Sequence, residues 1–451
     1  MIFKHRCKIN FLLFLVAFCL GIPEADAQNK GLSLIRDTEI ENTLRLWGAP
    51  IFRAAELEPS AVNIILVQSD QINAFVAGGS NIFFYTGLIQ KTKNPGEVVG
   101  VLAHETGHIS GGHLIKTRDA MERASYESII GTILGLGAAI ASGDAGAASA
   151  LSLGGTSFAQ SRFLAHSRVN ESSADQAALT FLEEAQINPT GLATFMNTLK
   201  SEIYVPESQQ SEYVRTHPLV ENRIDALQRR IEQSPYKDTA YPSEWSEQHA
   251  RMKAKLIGFI NPEQIPWVYD DQDRSMAADY ARTIAAYREN RVAEALKHMD
   301  ALIVREPQNP YFLELKGQML VDFGRVEEAV PYYRQASELL PDAALLRIAL
   351  AHALIETNKD DVLSEAIEEL HRALRQETRS TNIHRLLATA YGRLKKGNEA
   401  KIHLAEEAVL QRRFDYARQH ARSVMAREKE GSALWIRAKD IVSFIETVKK
   451  E

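Results

Sequence analysis

Cysteine is almost absent from this chain of 451 residues, which contains only Cys7 and Cys19. Both lie in an N-terminal segment that has a basic start, an apolar run over residues 9–21 and a small-x-small sequence at residues 25–27. These features are typical of a secretory signal peptide, which we predict over residues 1–27. The mature protein would then have no thiol, and this excludes disulfide bonds and thiolate metal ligands.

The chain also lacks an excess of positive charge and a long hydrophobic run. Its formal net charge is −6, and this mild acidity argues against nucleic acid as the principal partner. The apolar runs at residues 9–21 and 129–141 are each about thirteen residues long, whereas a membrane-spanning helix needs about 20. We therefore predict an exported protein that is large enough for two domains and has no membrane-spanning helix.

The most informative motif that is present is His104-Glu105-Thr106-Gly107-His108. Three upstream residues favour a helix start, as an N-cap, a first-turn proline and a first-turn carboxylate: Asn94, Pro95 and Glu97. Residues four apart share one face of a helix, so both histidines can bind the same metal ion. Glu105 lies beside them, where its carboxylate can accept a proton from water.

A catalytic zinc site needs a third ligand, and the sequence offers two candidates. His113 is one residue too early for the pattern His-Glu-x-x-His-x-x-Gly-x-x-His, because the position of its last histidine is Leu114. We interpret His113 as a helix-end histidine or one that contacts a ligand. Glu171 and Asp175 lie one helical turn apart. Glu171 can complete a set of two histidines and one glutamate, and Asp175 can accept the ring N–H of a ligand histidine.

Together these residues resemble peptidase family M48, a gluzincin group of zinc metallopeptidases. The resemblance rests on four patches within roughly residues 65–225: the strand-like segment 73–88, His104 to His108, Glu171 to Asp175, and His217-Pro218 with Arg223. It implies one Zn²⁺ per chain, bound by His104, His108 and Glu171. It also implies that Glu105 accepts a proton from the attacking water and delivers it to the leaving amine.

The resemblance leaves open the roles of two downstream residues. His217 either binds the metal as a plug at the fourth position or stabilises the oxyanion. Arg223 either orients Glu171 or Asp175 or contacts the substrate carbonyl. The alternating segment 81–85 is expected to form an edge strand beside the site, where an extended substrate could add by main-chain hydrogen bonds.

A segment rich in glycine and alanine, residues 129–155, lies between the two ligand patches. Small residues allow either mobile loops or close contact between helices. We interpret this segment as a lid or membrane-surface flap over the active site, and a small packed helical hairpin is the alternative.

The C-terminal half contains an internal repeat. The sequence around Arg291 recurs around Arg325, and Pro307 recurs as Pro341, both 34 residues apart. This is the period of a tetratricopeptide repeat, in which pairs of antiparallel helices stack on their neighbours. Ala366 continues the pattern after a short insertion.

These patterns predict a mainly α protein with three regions: a signal peptide over residues 1–27, a zinc metallopeptidase domain over 28–265 and a tetratricopeptide-repeat domain over 270–451. The first domain is expected to be an α+β gluzincin-like unit with a small sheet, and the second an all-α solenoid. The linker is expected over residues 258–273, where prolines interrupt helix.

A peptidase of this family joined to such repeats resembles the β-barrel assembly-enhancing proteases of the Gram-negative periplasm. This resemblance implies a periplasmic zinc endopeptidase with a chaperone-like role. Its implied partners are misassembled outer-membrane proteins and, through the repeats, the β-barrel assembly machinery. The alternative is a repeat-based chaperone or adaptor whose metal site is normally closed. A contact with the membrane surface through residues 129–155 is also expected.

Overall fold

The computed structural model describes residues 33–113 and 168–448. The predicted signal peptide and the glycine-rich segment 129–155 lie outside these residues. The fold is about 70% helical with one small sheet, and the predicted fold class is confirmed. None of the helices in the described ranges combines the length and the apolar character that crossing a membrane requires.

The sheet has four strands in the order β1-β2-β4-β3. Their bounds are Leu34–Ile35 (β1), Asn63–Val67 (β2), Ala74–Ala77 (β3) and Asn81–Tyr85 (β4). β4 pairs in parallel with β2 and antiparallel with β3. The prediction of an edge strand at residues 81–85 was therefore wrong, because the distant segment 63–67 pairs with its other side. β3 is one of the two edge strands, and it lies against the helix that carries the histidine motif.

The first region is built around that helix. Its helices, with bounds, are α1 (Thr38–Ala54), α2 (Thr86–Lys91), α3 (Pro95–Ser110), α4 (168–184), α5 (Thr190–Thr198), α6 (Glu212–Thr216), α7 (Glu221–Glu232) and α8 (Ser243–Ile260). Every residue of α3 from Pro95 to Gly107 is buried. Its apolar side chains join the core formed by α1, the sheet and α5, so the motif lies in the middle of the packed region.

The predicted start of α3 is confirmed. Asn94 is the N-cap, and its side chain accepts a hydrogen bond of 3.2 Å from the backbone N–H of Glu97. The Glu97 carboxylate in turn accepts a bond of 2.8 Å from the backbone N–H of Lys93. These contacts satisfy donors that a helix start leaves unpaired, and they define where the motif begins along the helix.

The second region consists of helix pairs. After the short α9 (Ile265–Val268) they are α10 (Met276–Arg288), α11 (Val292–Arg305), α12 (Pro310–Asp322), α13 (Val326–Leu339), α14 (Ala344–Glu356), α15 (Leu363–Leu374), α16 (Thr381–Arg393), α17 (Gly397–Leu410), α18 (Phe414–Met425) and α19 (Ala433–Val448). α10, α12 and α14 begin 34 residues apart, as the repeat predicts. The predicted insertion precedes α15, which begins 37 residues after α13.

The two regions share α8. Leu256 of this helix belongs to the peptidase-side core, whereas the next residue, Ile257, belongs to the core of the repeats. Gly258 lies inside α8, and a Cβ there would be 2.8 Å from the Cβ of Ile284 on α10. The predicted linker therefore began too early, because close packing against α10 continues the helix to Ile260. The predicted domain limits stay predictions.

A buried ionic cluster also joins the two regions. The ammonium of Lys255 on α8 lies 2.8 Å from Asp37 and 3.3 Å from Glu39, near the N-terminal end of α1. Tyr280 of α10 donates a hydrogen bond of 2.9 Å to Glu39. Glu314 of α12 lies nearby, and burial raises the pKa of its carboxyl to about 7. Lys255 is thus a cation that compensates several buried acidic groups.

Replacing Lys255 with alanine should destabilise the protein by about 3 kcal/mol or more, because it leaves buried carboxylates without their counter-ion. Urea unfolding followed by circular dichroism measures the change. Lys237→Ala is the matched control, since Lys237 forms an exposed pair with Glu232 and its removal should leave the unfolding midpoint unchanged. Equal midpoints for both variants would contradict the importance of the cluster.

Candidate metal centre

The two motif histidines face each other across one turn of α3. The Nε2 atoms of His104 and His108 lie 3.1 Å apart, and both side chains are largely buried. A separation of this size between ring nitrogens is expected for two ligands of one metal ion. The helical spacing alone produces this arrangement, as the sequence predicted.

Helix α4 brings the predicted carboxylates to these histidines. One Glu171 oxygen lies 3.4 Å from His104 Nε2, and the other lies 3.4 Å from His108 Nε2. Asp175, one turn further along, lies 3.0 Å from His104 Nδ1. The two helices meet at Gly107, where a Cβ would be only 2.7 Å from the carbonyl oxygen of Ala174. A glycine at this position lets α4 come close enough for Glu171 to reach both rings.

His217 completes the group from the loop after α6. One ring nitrogen from each of the three histidines and one Glu171 oxygen all lie within 4.8 Å of one another. The Nε2 of His217 is also 3.4 Å from Glu105, and its Nδ1 is 3.0 Å from the hydroxyl of Thr216.

Arg223 of α7 lies behind the carboxylates. Its Nε and Nη2 are 2.8 and 3.0 Å from the two oxygens of Asp175, and its Nη1 is 3.2 Å from Glu171. Nη1 also donates to the backbone carbonyl of Pro218, at 2.8 Å, next to His217. This geometry favours the first of the two roles considered for Arg223, orientation of Glu171 and Asp175. The role itself stays a prediction.

His113 lies on the far side of His108. Its Nδ1 is 3.2 Å from the Nδ1 of His108, and it does not belong to the group of four candidate ligands. This position agrees with the interpretation of His113 as a histidine that contacts a ligand rather than the metal.

Tyr213 was missed in the sequence. Its ring stacks on that of His217, with centroids 4.6 Å apart and an interplanar angle of 21°. Tyr213 is four residues before His217, whose backbone N–H donates to its carbonyl at 2.7 Å. The spacing of four residues between Tyr213 and His217 could have indicated this contact. This stacking restricts the orientation of the His217 imidazole.

Burial and neighbouring charges together determine the electrostatics of the site. Both Glu105 oxygens and one Glu171 oxygen are buried without a hydrogen-bond donor in the described part of the chain. Burial raises the pKa of the Glu105 carboxyl to about 8 and lowers the pKa of His217 to about 4. Burial by itself lowers the pKa of His104, but Asp175 and Glu171 outweigh it and raise that pKa to about 10.

The donor set fits a divalent cation. A tetrahedral ion with bonds of about 2.0–2.1 Å to nitrogen and oxygen separates its ligands by about 3.3–3.4 Å. The distances of 3.1 Å between the histidines and 3.4 Å from each to Glu171 are close to this value. A cation at their centre would also compensate the Glu171 oxygen that has no donor.

Comparison with known protein families agrees with this geometry. Residues 40–231 match the model of peptidase family M48, and residues 272–421 match a tetratricopeptide-repeat model. This chain contains a peptidase M48 domain followed by tetratricopeptide repeats. The M48 domain contains all seven predicted site residues and precedes the repeats, and the prediction of a metalloprotease is confirmed. The family implies a bound metal ion.

Curated relatives include proteins with both regions. The chain is 26% identical over 409 residues to the β-barrel assembly-enhancing protease of Escherichia coli (strain K12), covering 88% of this chain and 81% of that protein. It is 30% identical over 173 residues to the metalloprotease LoiP of the same organism, covering 38% and 63% respectively. Among solved structures, the chain is similar to YrrB, which is described as a tetratricopeptide-repeat protein with an unusual peptide-binding site. This match covers 39% of this chain and 91% of the YrrB chain, with 18% identity and a TM-score of 0.33.

Gly107→Ala should weaken metal binding by about tenfold or more, the scale seen when the support of a ligand is altered. The new Cβ would contact the Ala174 carbonyl at 2.7 Å, so α3 and α4 must separate and Glu171 must withdraw from the histidines. Competition with a chromophoric chelator measures the affinity. Gly392→Ala in α16 is the control, because its Cβ would meet nothing within 4 Å. A folded Gly107→Ala variant with unchanged affinity would contradict this account.

Proposed function

We propose that this chain is a periplasmic zinc-dependent endopeptidase that acts on misassembled outer-membrane proteins and promotes their assembly. The observation that carries the peptidase part is the convergence of His104, His108 and Glu171 beside the buried carboxylate of Glu105. This is the donor set of a catalytic zinc site with a general base next to it.

In this proposal His104, His108 and Glu171 hold one Zn²⁺. When bound, zinc supplies a Lewis acid that polarises the scissile carbonyl and makes water more acidic. Glu105 accepts the proton of the attacking water and delivers it to the leaving amine. Its carboxylate suits this role because it is fully buried beside the proposed ligands and accepts no hydrogen bond within the described residues, so its oxygens are available to the water.

Asp175 and Arg223 act as positioning residues in the same proposal. Asp175 lies 3.0 Å from Nδ1 of His104 and is proposed to keep the proton on that nitrogen, so that the lone pair of Nε2 is free for the metal. Arg223 contacts both carboxylates and keeps their charge compensated in a buried site. Neither residue needs to contact the substrate to perform this role.

The substrate is proposed to bind as an extended segment along β3. β3 is an edge strand of the sheet, and no strand of the described residues pairs with its outer side. It also lies against α3, close to the candidate metal centre. Main-chain hydrogen bonds at such an edge accept many side chains, which suits unfolded polypeptides as substrates.

The biological part of the proposal rests on the relatives and on the N-terminal segment. The Escherichia coli protein named for enhancing β-barrel assembly matches both regions of this chain. We propose that the repeats hold unfolded outer-membrane proteins and contact the β-barrel assembly machinery. The periplasmic location rests on the predicted signal peptide, and membrane-surface contact is proposed for residues 129–155.

A closed resting state is favoured by the position of His217. A catalytic zinc site keeps one ligand position open, whereas His217 lies where a fourth protein ligand would be. Tyr213 stacks on this ring and holds it there. We therefore propose that His217 plugs the site at rest and that the repeat-based chaperone role operates in this state.

Glu105→Gln should lower the rate of proteolysis by about 10²- to 10⁴-fold while one zinc ion per chain stays bound at this centre, because the amide cannot accept the proton. Digestion of casein and of an unfolded outer-membrane protein measures the rate, and metal analysis measures the zinc. Glu184→Gln on α4 is a control outside the site. A zinc-loaded Glu105→Gln protein that cleaves at the normal rate would contradict the mechanism.

His217→Ala should increase the basal rate of proteolysis several-fold and weaken zinc binding, because it removes the proposed plug. The same digestion and chelator measurements apply, with the exposed His352→Ala as control. A large loss of activity with zinc retained would instead assign His217 to the oxyanion. Unchanged activity together with unchanged affinity would exclude both roles.

A further inference from the structure

A second group of candidate ligands lies in the repeat region. His384 of α16 and both His403 and Glu406 of α17 place one ligand atom each within 4.8 Å of the others. The two histidine Nδ1 atoms are 3.1 Å apart. The same Glu406 oxygen, Oε2, lies 3.1 Å from His384 Nδ1 and 3.2 Å from His403 Nδ1. The three atoms therefore form a nearly equilateral triangle.

These distances resemble those of the candidate catalytic centre. There the two histidine nitrogens are 3.1 Å apart, and each lies 3.4 Å from a different oxygen of Glu171. Both sets are near the value of about 3.3–3.4 Å that tetrahedral coordination requires. The histidines are also well enclosed, since His403 is 1% exposed and His384 is 6% exposed.

The triangle is compatible with hydrogen bonds and also with a metal ion. Each Nδ1 carries at most one proton, and an ionised carboxylate accepts only. If both nitrogens are protonated, both N–H groups donate to the same Glu406 oxygen, with the two nitrogens 3.1 Å apart. If one nitrogen is unprotonated, its lone pair faces that of the Glu406 oxygen. If both are unprotonated, a single cation at the centre of the triangle would accept a lone pair from all three atoms.

Neighbouring side chains hold the three atoms in place. Nη2 of Arg437 on α19 lies 2.6 and 2.8 Å from the two Glu406 oxygens. The ring of Tyr391 stacks on His403 with an interplanar angle of 4°. An arginine beside a carboxylate is also present at the candidate catalytic centre, where Arg223 lies 3.2 Å from one Glu171 oxygen. These contacts provide the orientation that metal ligands usually receive from a surrounding layer.

An ion can reach this group from solvent. A cavity of about 470 Å³ is lined by residues of α15, α16, α17 and α19 and of the loop after α15; they include His384, Glu406, Arg437 and Asp440. Phe444, which is half-exposed, lies at the same cavity. The cavity leaves room for water or another oxygen ligand at the remaining coordination position.

We propose that His384, His403 and Glu406 form a second metal site for a divalent transition-metal ion, with zinc as the best fit. Two imidazoles and one carboxylate are suited to such an ion and unsuited to calcium or magnesium, which prefer oxygen ligands. The ion bridges α16 and α17 and so stiffens the C-terminal part of the repeats. The site is independent of the peptidase activity, because none of its residues belongs to the catalytic centre.

Metal counting tests the site in the full-length, tag-free protein equilibrated with micromolar zinc. Two zinc ions per chain are expected for the unmodified protein and one for both Glu406→Gln and His384→Gln. Glu407→Gln is the matched control and should retain two, because Glu407 pairs with Arg385 instead. One ion in the unmodified protein, or two ions in both site variants, would overturn the proposal.

Hydrogen exchange shows whether the second ion occupies this group, even where a variant is less stable. Zinc should slow amide exchange in α16 and α17 of the unmodified protein, and this protection should be lost in Glu406→Gln. Protection of α3 and α4 by zinc should persist in that variant and serves as an internal control. Zinc protection confined to α3 and α4 in the unmodified protein would overturn the proposal.

Discussion

The close contact of α3 with α4 at Gly107 is the constraint on which the candidate metal centre depends. A side chain at this position would meet the carbonyl of Ala174 at 2.7 Å, so only the missing Cβ allows α4 to approach. This approach places Glu171 next to both histidines and Asp175 next to Nδ1 of His104. The motif supplies two ligands by itself, but the helix contact supplies the third.

This contact also has an electrostatic cost, and the surrounding residues offset it. Three buried carboxylates lie around two imidazoles, and moving such charges out of water costs several kcal/mol for each ion. Arg223 compensates Glu171 and Asp175. Glu105 accepts no hydrogen bond within the described residues, and its burial raises its pKa.

The peptidase and repeat regions pack directly against each other. α8 contributes neighbouring residues to both hydrophobic cores. The cluster around Lys255 adds charged and hydrogen-bonded contacts between α1, α8 and α10. Arg36 forms another contact of this kind, at 2.6 Å from Glu377, which lies just after α15. The position of the repeats relative to the peptidase region is therefore held by specific contacts.

Local sequence patterns determined the helix that carries the motif, its capped start and the 34-residue repeat, because these features depend on residues near one another in the chain. They also indicated which downstream residues to consider at the metal centre. Only the tertiary structure decided that β4 is an interior strand of the sheet and that α8 continues past Gly258. It also decided that His217 lies next to Glu105 and stacks on the ring of Tyr213. These arrangements depend on contacts between distant segments, where a difference of less than an ångström decides whether two side chains meet, and the spacing of residues along the chain does not encode such distances.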